Sequence, residues 1–284
     1  MRLKCQIYPG MQLGGTPPQL YDQLKDGVVD VIWTIPSYAA GRFPVAEVFE
    51  LPFMMRDAEA ASKAVWEYIQ LYDAAEFRDV KPLAFHTHGG GLFHMVKNPV
   101  RTLADLKGVK VRAPTRQTTK LLAALGASPV GMPVPQVADA LSKGVIDGAL
   151  LPYEIVPAIK ADELTKFHSE PGAGDPTIHT SVFILAMNNA KYASLPEDLK
   201  KVIQANSGIE LSGRIGKIFG DMESINRKLL PPDSINVIAK DEIERWRAAA
   251  QPVFDDWVKE VSGKGHDGKA LLEHARSLIA KYGK

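Results

Sequence analysis

One short phrase occurs twice in the chain: Gln23-Leu24-Lys25-Asp26-Gly27-Val28-Val29-Asp30-Val31, and 117 residues later Ala140-Leu141-Ser142-Lys143-Gly144-Val145-Ile146-Asp147-Gly148. Each copy reads as a helix end, a glycine in the left-handed backbone position that stops it, and an apolar run short enough to be a buried strand. A chain that builds similar α/β units on either side of its middle is expected to form two lobes, and ligand sites occur preferentially at such junctions. The general grammar of α/β proteins would produce a similar likeness, so the repeat by itself names no ligand.

The size fits two such lobes. With 284 residues, 45% of them apolar and 24% charged, the chain can bury one large or two medium cores. Its 34 basic and 33 acidic residues leave a net charge of +1 with no basic block, which argues against nucleic acid as a partner. Cys5 is the only cysteine, so neither an internal disulfide nor a cysteine-based zinc site can form. The most apolar stretch, Ala39–Met55, is broken by Arg42, Glu47 and Glu50 and falls short of a membrane span of about 20 apolar residues. Met1 to Ile7 alternates like a strand and runs into Pro9-Gly10, unlike a signal peptide. This front end points to a cytoplasmic protein or to a chain lacking its first part.

Periodicity predicts helices over 16–25, 57–75, 115–125 and 135–142, and a mostly helical 195–228 long enough to lie across two lobes. Strands are expected over 28–33, 82–86, near 92–96, over 109–112 and over 183–187. Asp241–Glu260 and Gly268–Tyr282 read as amphipathic terminal helices. No low-complexity linker separates the halves, so two lobes would exchange segments through ordered crossings.

Three motifs could carry chemistry. His86-Thr87-His88 with His94 is the most enzyme-like, because an His-x-His at a strand end points two rings to one face, as a zinc hydrolase needs. No later histidine and carboxylate of ligand spacing supports a metal, and hydrogen-bonding cleft histidines are the plainer reading. His88-Gly89-Gly90-Gly91 matches an esterase oxyanion loop, yet no Gly-x-Ser-x-Gly supplies a nucleophile. Gly263-Lys264-Gly265 has neither phosphate-loop spacing nor a preceding strand, so nucleotide binding has no support. Strand Val109–Arg112 is different: it ends in an arginine just before a helix N-terminus, so a guanidinium fork and free backbone N–H groups converge on a site shaped for a carboxylate. A surface arginine paired with a neighbouring side chain would leave the same pattern.

These residues resemble the solute-binding proteins of TRAP transporters, the DctP family. The landmarks are Tyr8-Pro9 with Gln12-Leu13-Gly14-Gly15, Leu24–Val31, Leu51-Pro52-Phe53, Leu103–Arg112 with Asp105-Leu106-Lys107-Gly108, Gly126-Ala127-Ser128-Pro129 with Met132, Ala140–Gly148, and Leu195-Pro196-Glu197-Asp198-Leu199. They fall in the family's order along most of the chain. The resemblance implies an α/β, two-lobed periplasmic-binding-protein-like fold with a ligand cleft between the lobes and a long lobe-spanning helix. Lobe I would comprise 1–89 and 182–222, and lobe II 90–181 and 223–284, with hinges near Gly89–Gly91 and Thr180–Phe183. It further implies a periplasmic monomer that captures a small organic acid and delivers it to the membrane permease subunits, with no catalysis, cofactor or metal. Family members carry a signal peptide, a first strand and a first helix before the segment matching Lys4–Tyr8, so by this resemblance the chain is N-terminally truncated.

The family's carboxylate-pairing arginine falls on Arg112. Two polar positions used by sugar-acid and dicarboxylate binders fall on Leu92 and Leu151, so a second ligand carboxylate would lose its partner, and burying an unpaired charge is costly. Trp33, Ser37, Phe53, His88, Tyr153, Glu154 and His179 complete the expected site, suited to a monocarboxylate with an apolar, aromatic or hydroxylated body. Plain core packing is the alternative for Trp33 and Phe53. A metal-dependent hydrolase using His86, His88 and His94 is the competing function, and a ligand-sensing domain a third.

Overall fold

The computed structural model describes residues 3–72 and 74–283. Helix α1 (Leu20–Lys25) leads into β1 (Val31–Thr34), and α2 (Ala58–Tyr72) into β2 (Val80–Thr87). The chain then crosses to β3 (Leu92–Met95), β4 (Lys110–Ala113), α3 (Arg116–Ala124), β5 (Ser128–Gly131), α4 (Val137–Ser142), β6 (Gly148–Leu151), α5 (Ala161–Leu164) and β7 (Phe167–Glu170). It returns through β8 (Val182–Asn188), α6 (Asn189–Ser194) and α7 (Glu197–Ala205) to the long α8 (Ile209–Arg227). β9 (Ile235–Val237), α9 (Lys240–Ala249), α10 (Gln251–Gly263) and α11 (Gly268–Tyr282) follow.

Both copies of the repeated phrase close with the same turn. After α1 the N–H of Val28 donates to Gln23 C=O at 2.9 Å around Gly27 at φ 77°, and after α4 the N–H of Val145 donates to Ala140 C=O at 2.9 Å around Gly144 at φ 67°. A side chain at either glycine would be strained in that left-handed backbone, so the sequence itself ends each helix and starts the next strand. One copy lies in each lobe.

Lobe I carries the antiparallel sheet β1-β8-β2, and lobe II the mixed sheet β5-β4-β6-β3-β7-β9. Strand alternation sends Ile32, Phe85, Ile184 and Ala186 into the lobe I core against Val65, Tyr68 and Ile69 of α2. In lobe II, Phe93, Val111, Leu121 and Leu150 pack on Trp246 of α9. Full burial of each such large side chain contributes about 1.5–3 kcal/mol.

Two sequence expectations need correction. Residues 3–8 form no strand, because alternation marks a segment able to pair, and no described strand lies beside this one. The expected boundary assigned 223–284 to lobe II, yet α10 and α11 return to lobe I: Val253, Trp257, Val261, Leu271 and Ala275 join its core, and the Trp257 indole N–H donates to Pro44 C=O at 2.7 Å. An amphipathic helix announces a buried face without saying which core it covers.

Helix α8 ties the lobes together. At its lobe I end Gly216 lies so close to α2 that a Cβ there would come within 2.4 Å of Ala58 C=O. At its other end the Glu223 carboxylate accepts the N–H groups of Tyr153 and Glu154 at 3.0 and 3.1 Å, and Asn226 donates to Glu154 C=O at 3.0 Å. The crossing segments that join β2 to β3 and β7 to β8 pair with each other, with Gly91 N–H donating to His179 C=O at 3.0 Å.

Candidate functional site

Arg112 is the next-to-last residue of strand β4, and its side chain reaches Tyr38 of lobe I. Nε donates to Met132 C=O at 3.0 Å and Nη1 to Leu150 C=O at 2.9 Å, while Nη2 is buried without a partner. Only 2% of the residue is exposed. Burial lowers its pKa from the ordinary value against an opposing influence from Tyr38, and a guanidinium remains charged through such a shift. A cation is thus held on two neutral carbonyls and the Tyr38 hydroxyl, with no carboxylate partner among the described residues.

The walls around the Nη2 edge are polar and buried. His88 accepts the Ser181 N–H on Nε2 at 3.0 Å, so its Nδ1 carries the proton and donates to Gly89 C=O at 2.6 Å. Burial, with Arg112 and His86 adding repulsion, pushes its pKa down to about 3. His179 packs edge-on to His88 with ring centroids 5.3 Å apart, and both of its ring nitrogens are buried and unpartnered. Burial, then His88 and Arg112, hold its pKa well below the usual value, so both rings are neutral. Gly91 makes room for the His179 ring, which a Cβ there would meet at 2.1 Å.

Lobe I supplies Ser37, Tyr38 and Glu50. Ser37 Oγ donates to Glu50 Oε1 at 2.8 Å, and the Val182 N–H donates to the same oxygen at 3.0 Å, leaving Glu50 Oε2 buried and unpartnered. Burial first, and repulsion from Glu47 second, push Glu50 up to about 8. The mouth is shut by side chains reaching across the lobes. Arg116, on α3, binds Glu47 through Nε at 2.8 and 2.7 Å and Glu260 through Nη1 and Nη2 at 2.8 and 3.0 Å. Gln117 donates to Glu47 at 2.7 Å, and Val134 N–H reaches the Tyr38 hydroxyl at 3.4 Å.

Arg112, His88, His179 and Ser37 therefore come together between the lobes, whereas other expected residues sit elsewhere. Trp33 lies on the sheet face opposite the lobe I core, stacked on Phe183 and donating to His86 Nε2 at 2.7 Å, and is 49% exposed. Phe53 packs into the lobe II core. Leu151 belongs to the apolar layer under α4 and α5, and Leu92 packs with Tyr153 and Leu230. The Tyr153 hydroxyl donates to Glu170 at 2.8 Å, and Glu170 is in turn held by Arg227. The Glu154 carboxyl lies against Glu223; burial raises both groups above the ordinary range, Glu223 raises Glu154 further, and the hydrogen bond from Glu154 partly offsets the rise at Glu223. A buried acid takes the nearest partner able to share its proton, and α8 offers one.

The hydrolase arrangement does not assemble. His86 Nε2 holds the Trp33 indole, His88 Nε2 the Ser181 amide, and His94 pairs with His168 at 2.8 Å inside lobe II. Glu50, Tyr38, Ser181 and Gln117 were not anticipated. A lone carboxylate inside the apolar run Val48-Phe49-Glu50-Leu51 was the signal that could have found the first.

Residues 2–260 match bacterial extracellular solute-binding protein family 7, DctP. A TRAP solute-binding protein from Rhodoferax ferrireducens T118, in complex with copurified benzoate, superposes with a TM-score of 0.97 at 51% identity, covering 99% of this chain and 88% of that one. A marine metagenome TRAP solute-binding protein specific for aromatic acids, bound to metahydroxyphenylacetate, superposes at 0.95 and 46% identity over 98% of this chain and 88% of that one. The 2,3-diketo-L-gulonate-binding periplasmic protein YiaO of Escherichia coli is 28% identical over 72% of this chain and 62% of its own. The paired lobes, the lobe-spanning helix and the buried strand-end arginine are thus features of a chain that belongs to the DctP family of extracellular solute-binding proteins, the solute receptors of TRAP transporters.

Proposed function

We propose that this protein captures a compact aromatic monocarboxylate between its lobes in the periplasm and hands it to the permease of a TRAP transporter, with Arg112 as the carboxylate anchor. One observation carries the reading: the open Nη2 edge of a fully buried guanidinium. An unpaired buried charge is costly, and a ligand carboxylate is the counter-ion that would relieve it through charge-assisted bonds. Arg112 is the only buried lysine or arginine among the described residues, and neutral His88 and His179 are flat surfaces against which a ring can lie. The two solved relatives at 46% and 51% identity hold aromatic acids, which supports the same class here.

Calorimetry with benzoate, 3-hydroxyphenylacetate, mandelate, succinate and glucuronate tests the reading. Tight binding of at least one aromatic acid with weak or absent binding of succinate is expected. Tight succinate binding with all three aromatic acids inert would overturn it.

A further inference from the structure

A separate cleft lies where α9, α10 and α11 meet the loop that precedes α2. It encloses about 390 Å³, inside the range of about 300–1,000 Å³ that small-molecule sites occupy. Phe53 and Phe254, with two prolines and a methionine, give it apolar walls, and Arg56, Arg247 and Arg276 give it charge. No aspartate or glutamate lines it among the described residues, although the chain carries 33 acidic residues against 34 basic ones. The larger hollow beside α8, about 770 Å³, is the contrary case. Acids outnumber bases in its lining, and its Lys217 and Arg227 are paired with Asp221 and Glu170 at 2.6 and 2.5 Å.

We infer that this cleft binds a compact organic anion carrying two or more carboxylates, at a site distinct from the Arg112 chamber. Each guanidinium there keeps N–H donors to spare, because an arginine has five in a fixed planar fork. Arg56 gives Nε to Gly174 C=O at 3.0 Å and enters no ion pair among the described residues. Arg247 and Arg276 each touch a carboxylate only through Nη1, at 3.3 Å to Glu244 and 2.7 Å to Glu273, and both glutamates are largely exposed. Such pairs are weak enough for a better-matched anion to displace them. The Arg276 guanidinium also stands 5.5 Å from the centre of the Phe254 ring, which favours its place at the wall. The fork matches a carboxylate through two parallel bonds, so one carboxylate completes one arginine and three arginines require more than one. An inorganic oxyanion would meet the charge but leave both phenylalanine faces against water, whereas an organic body covers them. The walls come from both lobes. Phe53 and α9 belong to the lobe II core, whereas Phe254 packs against the lobe I core that α11 joins. An anion shared by Arg247 and Arg276 would therefore fasten α9 to α11 across the junction.

Calorimetry at low salt with citrate, tricarballylate, phthalate and inorganic phosphate tests this, on wild type, Arg112→Ala, Arg247→Gln and the double variant Arg247→Gln with Arg276→Gln. At least one polycarboxylate should bind wild type and Arg112→Ala alike, with phosphate weaker by about tenfold or more. The double variant should lose about tenfold or more of that affinity and Arg247→Gln a part of it, with benzoate affinity changed by less than about threefold in both. Raising salt from roughly 0.05 to 0.5 M should weaken polycarboxylate binding by about tenfold, because these arginines are exposed. If the double variant does not fold, Arg247→Gln and the salt response still decide. Three outcomes would overturn the inference: no polycarboxylate binding wild type below ~1 mM, phosphate bound as tightly as any organic acid, or polycarboxylate binding lost in Arg112→Ala and undiminished in the arginine-to-glutamine variants. None of them touches the proposed function, which concerns Arg112 and the aromatic acids.

Discussion

Arg112 and Arg116 are four positions apart and have opposite electrostatic fates. Arg112 is fully buried and meets two backbone carbonyls and the Tyr38 hydroxyl, with no carboxylate partner among the described residues. Arg116 is partly exposed and engages two carboxylates of lobe I. The protein completes Arg116 itself, whereas the proposed function gives Arg112 its counter-ion in the ligand. The first can hold the lobes shut, and the second gives them a reason to shut.

The largest effect should come from the open arginine. Arg112→Ala is expected to remove about 2–5 kcal/mol of aromatic-acid affinity, measured by calorimetry, and Arg112→Lys should recover little because an ammonium cannot form the fork. Wild-type affinity in Arg112→Ala would erase the distinction between the two arginines. A smaller effect should follow loss of the mouth pairing. Arg116→Ala removes a pair that faces solvent on one side, so after allowance for screening the loss should be near ~1 kcal/mol. It should show mainly as faster ligand release in stopped-flow traces. Raising salt from roughly 0.05 to 0.5 M should weaken wild-type binding slightly and Arg116→Ala less, because exposed pairs are screened more than buried ones. An identical salt response in both would show that the mouth pair contributes nothing to closure.

Acidification should do least to binding. His88 and His179 have folded pKa values held low by burial, so they stay neutral and benzoate affinity should vary by less than about twofold between pH 7 and 5.5. Stability behaves differently. A depressed folded pKa gives stability that is present above the unfolded value of 6.5 and is lost as pH falls through the folded value, here about 3 for His88 and His94 and about 4 for His86 and His168. These rings should therefore lower the ligand-free melting temperature as pH drops from about 6.5 toward 4, against an opposite contribution from the raised Glu50, Glu154 and Glu223, and a profile that rises over that range would contradict the burial of the rings.

What the sequence disclosed follows from how local each signal is. The repeated turn was legible because Gly27 and Gly144 act within a few residues. Arg112 was legible because its strand and the following helix are contiguous, and the family resemblance then supplied its role. Glu154 was misplaced because its partner Glu223 is far away in sequence, on α8. Trp33 was misplaced because alternation states that a side chain leaves the core face without stating what covers it. Glu50 was missed because its setting depends on Ser37, Val182 and Thr115, three separate parts of the chain.

The return of α10 and α11 to lobe I has a consequence for the order in which the molecule can be completed. The lobe II core receives its last members at Trp246 and Ala250, whereas the lobe I core waits for Trp257, Leu271 and Leu278. During synthesis from the N-terminus, lobe I begins first and finishes last. Its early helix α2 must wait through more than half of translation for α11, which packs on it, so contacts of long sequence separation govern its rate of assembly. A receptor wired in this way stays incomplete until nearly all of its chain has been made.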